Sequence, residues 1–526
     1  MSTTQPDAGR AAAWRLTTTA IAWRLFFTCW IVYGLHFATD VVREHYPAVA
    51  LGDHFSFRLD EYGGLHPDLF EKPGYGWHIG NNPGISMLAA VPYALSRPLI
   101  DPIVSRVEAG RRERGDTVPP AFDSPRYTSP VFYQEAYRRG LDVKLGLAAF
   151  VTHAFFMAPA SALAVLLVFF TLRALLRNDR QAFWLSVLYA FGTPVFYRTG
   201  FLNHNLVLGH IAFAGMVAVW NPHGGTRLSG ARRALLAGLA GGTTLLFDYS
   251  GVVLLLGLFA YVLARRFAAG GVRLAAADGL RYVAGSVPPV LVLWLYQWRA
   301  FGNPFLPGQH WMPPVKWIEL GYQGYGGPQL ELLLALAFDP RFGLFIAAPV
   351  LLLAFVALLP GRRMPRLPAL ELAACILIPV ATWAFFSGSN YTRLQWNTGM
   401  RYMAPALPFL FLPAALVLLR LPRTAVALIG LGSVVLNWCM AMSRIPWRPL
   451  GVFHSVLDVF TTGFQLPALT TLSQMQAFRA WVPERVTPLP LFALAAAVIF
   501  ILWTTPPRVA PARSGADPES AGGDPT

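Results

Sequence analysis

Residues 39–96 read TDVVREHYPAVALGDHFSFRLDEYGGLHPDLFEKPGYGWHIGNNPGISMLAAVPYALS. This stretch follows a first apolar run, 18–38, and leads through a basic, Pro-rich segment to the next long apolar run at 145. It gathers Asp, Glu, His, Arg and Asn in a chain that is otherwise mostly apolar. Working outward, the 526 residues are 55% hydrophobic and only 13% charged, where a soluble domain carries about 25% charged residues. That deficit, with many long apolar runs, predicts an all-α polytopic membrane protein.

A spanning helix needs about 20 mostly apolar residues. Candidate spans are 18–38, 145–172, 182–198, 203–220, 234–248, 250–264, 281–299, 342–360, 368–387, 402–419, 424–442 and 488–504, or about 12 transmembrane helices. The net charge of +15 is not a nucleic-acid signal, because the Arg residues sit in short clusters between apolar runs, where they report topology. One alternate set of connections carries Arg10 and Arg15; Arg173, Arg177 and Arg180; Arg227, Arg232 and Arg233; and Arg265, Arg266 and Arg273. It continues with Arg362, Arg363 and Arg366; Arg420 and Arg423; and Arg508 and Arg513. These short basic connections are expected in the cytoplasm, together with both termini. The other set, 39–144, 300–341, 388–401 and 443–487, is expected outside. The expected organisation is a cytoplasmic N-terminus over 1–17, a membrane domain over 18–504 and a disordered cytoplasmic tail over 505–526. The first apolar run has no small-residue cleavage site and reads as an uncleaved helix. Cys29, Cys375 and Cys439 all lie in apolar runs, which argues against a disulfide or thiolate framework.

Within the long outer connection, 84–96 is apolar but too short to span, so it is expected to lie along the interface. Asn82-Pro83-Gly84 is a fitting start, with a capping Asn followed by Pro. Residues 105–143 are charged and Pro-rich and read as a surface loop.

Ionisable groups at a membrane mouth are costly and default to a functional reading. Asp40 stands where the first span should leave the bilayer. If that helix continues, Asp40 and Glu44 share a face with Arg43 beside them. A second acidic group is Asp60, Glu61, His66 and Asp68. Of these, His66 and Asp68, together with Asp53 and His54, could in principle hold a divalent ion, although the spacing fits no metal motif and no cofactor is expected. Further outer candidates are Asn81 and Asn82, then Arg198, His204 and Asn205 in the turn after the third span. Asp248 ends the fifth span, and Arg341 lies at the mouth of another. Tyr391, Arg393, Trp396, Arg401 and Tyr402 lie before the tenth. Arg393 and Arg401 offer planar forks suited to phosphate. The aromatic residues can stack on a sugar or form an interfacial belt with snorkelling Arg.

These pieces, in this order and on one side, resemble the GT-C superfamily of polyprenyl-phosphate-sugar glycosyltransferases, which includes protein O-mannosyltransferases and lipid A aminoarabinose transferases. The resemblance rests on Asp40 directly after the first span, the large first outer loop and Asn82-Pro83-Gly84-Ile85-Ser86-Met87-Leu88. It rests also on Gly192-Thr193-Pro194, Phe301-Gly302-Asn303-Pro304, Arg341-Phe342-Gly343-Leu344-Phe345 and Trp396…Gly399…Arg401-Tyr402. It implies a membrane enzyme that moves a sugar from a lipid-linked donor to a glycan, glycolipid or protein acceptor outside the cell membrane, with inversion. Two departures leave the base open among Asp40, Asp60, Glu61 and Asp248: Asp40 is followed by Val41 rather than Glu, and Asn203, His204 and Asn205 stand where relatives place a second acid. The competing expectation is a transporter or flippase of lipid-linked saccharide, which would place polar residues on broken helices at the midplane.

Overall fold

A computed structural model describes residues 16–116, 130–222, 224, 227–313, 321, 324–359, 366–394, 400–443, 451–473, 482 and 486–505. Trp396, the N-terminal and C-terminal arginines and the tail beyond 505 lie outside the described residues.

Among the described residues the chain is built of helices, with one small hairpin. In order these are α1 (Thr18–Leu35), α2 (His45–His54), α3 (Gly84–Arg114), α4 (Pro130–Arg138), α5 (Asp142–Leu176), α6 (Asp179–Phe191), α7 (His204–Trp220) and α8 (Gly230–Phe247). They continue as α9 (Gly251–Phe301), α10 (Leu330–Phe338), α11 (Ala369–Ser387), α12 (Leu407–Leu418), α13 (Arg423–Met442), α14 (Val452–Thr462) and α15 (Leu489–Thr504). Strands β1 (Leu69–Lys72) and β2 (Gly76–Ile79) pair antiparallel, Leu69 opposite Ile79. Among the described residues five helices, α1, α5, α9, α11 and α13, are long and apolar enough to cross a membrane. Helices α7 and α15, and 404–418, are apolar but shorter. Large apolar side chains such as Leu295, Trp298, Leu428, Leu494 and Phe500 are exposed on the helices' outer faces, as befits a protein whose surroundings are themselves apolar.

Local chemistry explains where the helices begin. The side chains of Thr17, Asn178, Asn203 and Ser229 each accept a bond from a backbone N–H of the following first turn, capping α1, α6, α7 and α8. Inside α5, a π-turn over His153–Met157 re-aims the helix. Buried His153 there lies 3.0 Å from the carbonyl oxygens of both Thr199 and Tyr33, which ties α5 to the turn after α6. Glycines let α8 and α9 approach at backbone distance. A Cβ added at Gly238 would lie 1.9 Å from the Tyr282 carbonyl oxygen, and one at Gly285 would lie 2.1 Å from that of Leu235.

Several expectations are corrected. The helix over 84–96 runs on to Arg114, and α4 follows, so 105–143 is not simply a loop. Its three internal prolines stand where the helix can bend rather than stop. The expected spans 250–264 and 281–299 belong to one helical run broken at Gly270 and Gly271. The expected span 182–198 stops at Phe191, because Thr193-Pro194 interrupts it before the short turn Val195–Arg198. The expected span 342–360 is a chain of short pieces, Leu344–Ala347, Pro349–Leu352 and Leu353–Val356, broken at Pro349.

Polar contacts tie the helix ends together: Thr18 donates to Asp179 (2.7 Å), Arg173 pairs with Asp179 (2.7 Å) and Arg265 pairs with Glu371 (3.0 Å). Ser86 donates to the Glu44 carbonyl oxygen (2.8 Å) and Asn82 donates to that of Leu245 (2.7 Å).

Candidate functional site

Helix α1 ends at Leu35, and the chain continues without regular structure past Asp40, which is half-buried and engaged by neighbouring groups. Asp40 and Glu44 therefore do not share a helical face. Thr39 takes a positive φ of 61°, and the Ala38 amide donates to the Gly200 carbonyl oxygen (2.8 Å). The chain then turns into α2. There the Val42 amide donates to His45 Nδ1 (2.9 Å), and His45 Nε2 meets Thr152 Oγ1 (3.2 Å). This anchoring sets the direction of the residue just before His45.

That residue is Glu44, buried at the start of α2. Its Oε1 lies 3.1 Å from His204 Nδ1 and 3.3 Å from Arg43 Nε. His204 is the first residue of α7, placed there by the Asn203 cap. On the far side of the imidazole, Nε2 lies 3.5 Å from Asp248 Oδ2 and 3.1 Å from Asn205 Nδ2. Asp248 caps the end of α8, and its Oδ1 accepts from the Ser250 amide (2.8 Å). Three separate elements thus deliver a carboxylate–imidazole–carboxylate line.

A second line crosses it at Arg43, whose guanidinium bridges Glu44 to Asp68. Asp68 precedes β1, and its amide donates to His66 Nδ1 (3.0 Å). Arg401 acts electrostatically on Asp68 and on buried Arg198, while Tyr391 lies within reach of Asp68, Arg43 and Tyr402. Arg401 donates to the Tyr402 hydroxyl and lies 4.4 Å from that ring's centre.

The electrostatics follow from the pairing. Burial pushes the Glu44 carboxyl up, but Arg43 and His204 together outweigh it and hold it well below the usual carboxylate range. Asp68 is likewise pushed up by burial and pulled further down by Arg43 and His66. Burial works against the charge on Arg43, yet Asp68 and Glu44 more than restore it. Burial depresses His66.

The structure therefore brings together Arg43, His66, Arg198, His204, Asn205, Asp248, Tyr391, Arg401 and Tyr402 among the sequence candidates. Asn82 serves as a cross-tie beside them, and the Asn81 carbonyl oxygen accepts from Tyr296 (3.4 Å). Others turn elsewhere. Asp60 accepts from the Trp77 amide (2.8 Å) and pairs with Arg58 (2.8 Å) on the surface. Exposed Glu61 faces Lys144 (3.8 Å). Arg341 is closed on its neighbour Asp339 (2.9 Å), as the two-residue spacing favours. Arg393 is held by Asn390 (3.0 Å) and Glu331 (3.1 Å). Glu44 and Asp68 are central, although the sequence reading gave them only secondary places. Their signal was adjacency, Glu44 to Arg43 and Asp68 to the His66-Pro67 turn.

The four residues weighed as a cation site do not converge. Asp53 is taken up by Lys144 (2.6 Å), Arg97 (3.1 Å) and the Tyr93 hydroxyl (3.0 Å), and Asp68 by Arg43. Among the described residues no three His, Cys, Asp or Glu are grouped to hold a metal. A comparison of the chain with family models, curated proteins and solved structures finds no match.

Proposed function

We propose that the chain is a membrane glycosyltransferase that moves a sugar from a polyprenyl-phosphate donor to an extracytoplasmic acceptor hydroxyl, with inversion. The observation that carries the reading is the partly buried cluster in which Arg43, Arg198 and Arg401 meet Glu44, Asp68, Asp248 and His204 at one end of the helical bundle. The gathering of these groups at one end favours a surface reaction over transport through the midplane. In this reading the shorter and broken helices complete a bundle of about 12 crossings. The connection 39–144 lies outside and both termini lie in the cytoplasm.

The chemistry follows from the groups present. A lipid phosphate is a good leaving group and needs positive charge where negative charge develops. Arg401, beside Asp68 and backed by Arg43, supplies it. The acceptor oxygen attacks the anomeric carbon while a carboxylate takes its proton. Direct attack inverts that centre, by the geometry that governs inverting glycosidases. Two carboxylates compete for the proton. Asp40 is the one the GT-C resemblance implies. Asp248 is the one that stands against an imidazole, which gives its proton an onward path, and this contact favours it.

The test is incubation of purified protein with a panel of polyprenyl-phosphate sugars and membrane acceptors, with products read by mass spectrometry. Sugar transfer by the wild type, its loss in Asp248→Asn and weakened donor binding in Arg401→Ala are expected. Loss in Asp40→Asn with full activity in Asp248→Asn would move the base to Asp40. No transfer from any donor, with donor passage across vesicles instead, would replace the enzyme by a transporter.

A further inference from the structure

The surroundings of His204 contain a detail that the transfer reaction alone does not require. The Asn205 side chain points its Nδ2 at His204 Nε2 (3.1 Å), while its own Oδ1 is buried without a hydrogen-bond partner. A buried carbonyl oxygen left unpaired is costly. Rotating the amide by half a turn would aim that oxygen at the imidazole, where it can accept only if Nε2 carries a proton.

The other neighbours favour the second arrangement. Glu44 Oε1 at 3.1 Å takes a proton-bearing Nδ1 in either case. Asp248 Oδ2 at 3.5 Å is poised to accept from a protonated Nε2. The remaining charged groups reach His204 through Glu44: Arg43 pairs with it directly, and Arg198 acts on it electrostatically. The two carboxylates contact opposite ring nitrogens, so they cannot serve as two ligands of one metal ion. They are well placed to stabilise an imidazolium.

Resting on the glycosyltransferase reading, we propose that His204 and Asn205 form a two-state proton store beside the transfer site. In one state His204 is neutral and Asn205 donates to Nε2. In the other His204 is an imidazolium, and Asn205 has turned to accept from it. During transfer the bond from the anomeric carbon to phosphate oxygen breaks, and its electron pair leaves with the lipid phosphate. The bond from the anomeric carbon to acceptor oxygen forms. The acceptor's proton passes to Asp248 and then to Nε2 of His204, and it returns to water when the products leave. His204 is thus a positioning residue that acts through Asp248. Its protonated form also adds a positive charge while the phosphate gains negative charge.

The test needs no substrate. Exchange of the imidazole C2 hydrogen with deuterium, followed by mass spectrometry of the full-length protein in lipid nanodiscs, gives each histidine's titration curve. The expected result is a single His204 transition whose midpoint moves to lower pH by about one unit in Asp248→Asn and again in Glu44→Gln. Asn205→Leu, which can neither donate nor accept, is expected to broaden the loss of His204 protection without displacing His66 or His45. An unchanged His204 midpoint in Asp248→Asn, with the protein folded by circular dichroism, would overturn the proton store. The glycosyltransferase reading stands or falls separately on product formation. If transfer is present while the midpoint is immobile, only the inference drawn here fails.

Discussion

Replacing Arg43 by Met tests whether the site is an ion-paired structure or a loose collection of charges. Arg43 lies 3.3 Å from Glu44 and also bonds Asp68, and the three side chains are mostly buried. At an effective dielectric of 20, a pair at this distance attracts by about 5 kcal/mol, and desolvation offsets much of that. Breaking a buried pair by removing one partner costs about 3–5 kcal/mol, because the other charge stays behind. Here Glu44 keeps His204 (3.1 Å), so the lower end, about 3 kcal/mol, applies to Arg43→Met. That is roughly a hundredfold in the folded-to-unfolded ratio. Unfolding by SDS titration in mixed micelles measures it. The decisive comparison is the triple variant Arg43→Met, Glu44→Gln, Asp68→Asn, which removes the stranded charges and is expected to recover most of the loss. The pH dependence gives a second arm. Glu44 and Asp68 are both held low in the folded protein, so their stabilisation is full above the ordinary carboxylate range and is lost as pH falls through their folded values. In Arg43→Met those carboxyls are held down less, by His204 and His66 alone, so its deficit against wild type shrinks as pH falls. If Arg43→Met lies within about 0.5 kcal/mol of wild type, or the triple variant is no better, the cluster is not held together by this pairing.

Three further outcomes are expected. His45 is buried neutral, and its imidazole is lowered to about 4 by burial, with the Val42 carbonyl opposing. The unfolded chain therefore takes up a proton that the folded one refuses as pH falls from about 6.5 to 4, which costs up to roughly 3 kcal/mol; His45→Gln should flatten that part of the stability curve, measured by the same SDS titration. Gly238→Leu should force α8 from α9 at a cost of roughly 3 kcal/mol, the upper end for overpacking, because even a Cβ there meets the Tyr282 carbonyl oxygen at 1.9 Å. Size-exclusion chromatography after detergent extraction should show less monodisperse protein, and an unchanged profile would deny the close helix contact. Arg341→Ala and Arg393→Ala should leave donor affinity within twofold of wild type, since both guanidiniums are bound to Asp339 and Glu331; a tenfold loss in either would return it to the donor site.

The sequence by itself determined the solvent of this protein and the order of its elements. Apolar runs of the right length dictate helices wherever the backbone must satisfy its own hydrogen bonds, and the Arg clusters sort the connections into two sets. The break at Thr193-Pro194 was not legible as one, since the apolar run 182–198 reads through it, and the caps Asn178 and Asn203 emerge only in the structure. Partner choice was not legible, because it depends on where helix ends meet. Asp60 and Glu61 look as functional as Glu44 and Asp68 in one dimension. The packing of α2 against α3 and α5, with His204 brought in at the start of α7, buries Glu44 beside that imidazole and leaves Asp60 on the surface with Arg58. A charge costs far more to bury than to expose. The fold therefore decides which of many similar side chains is forced into a network and which remains solvated.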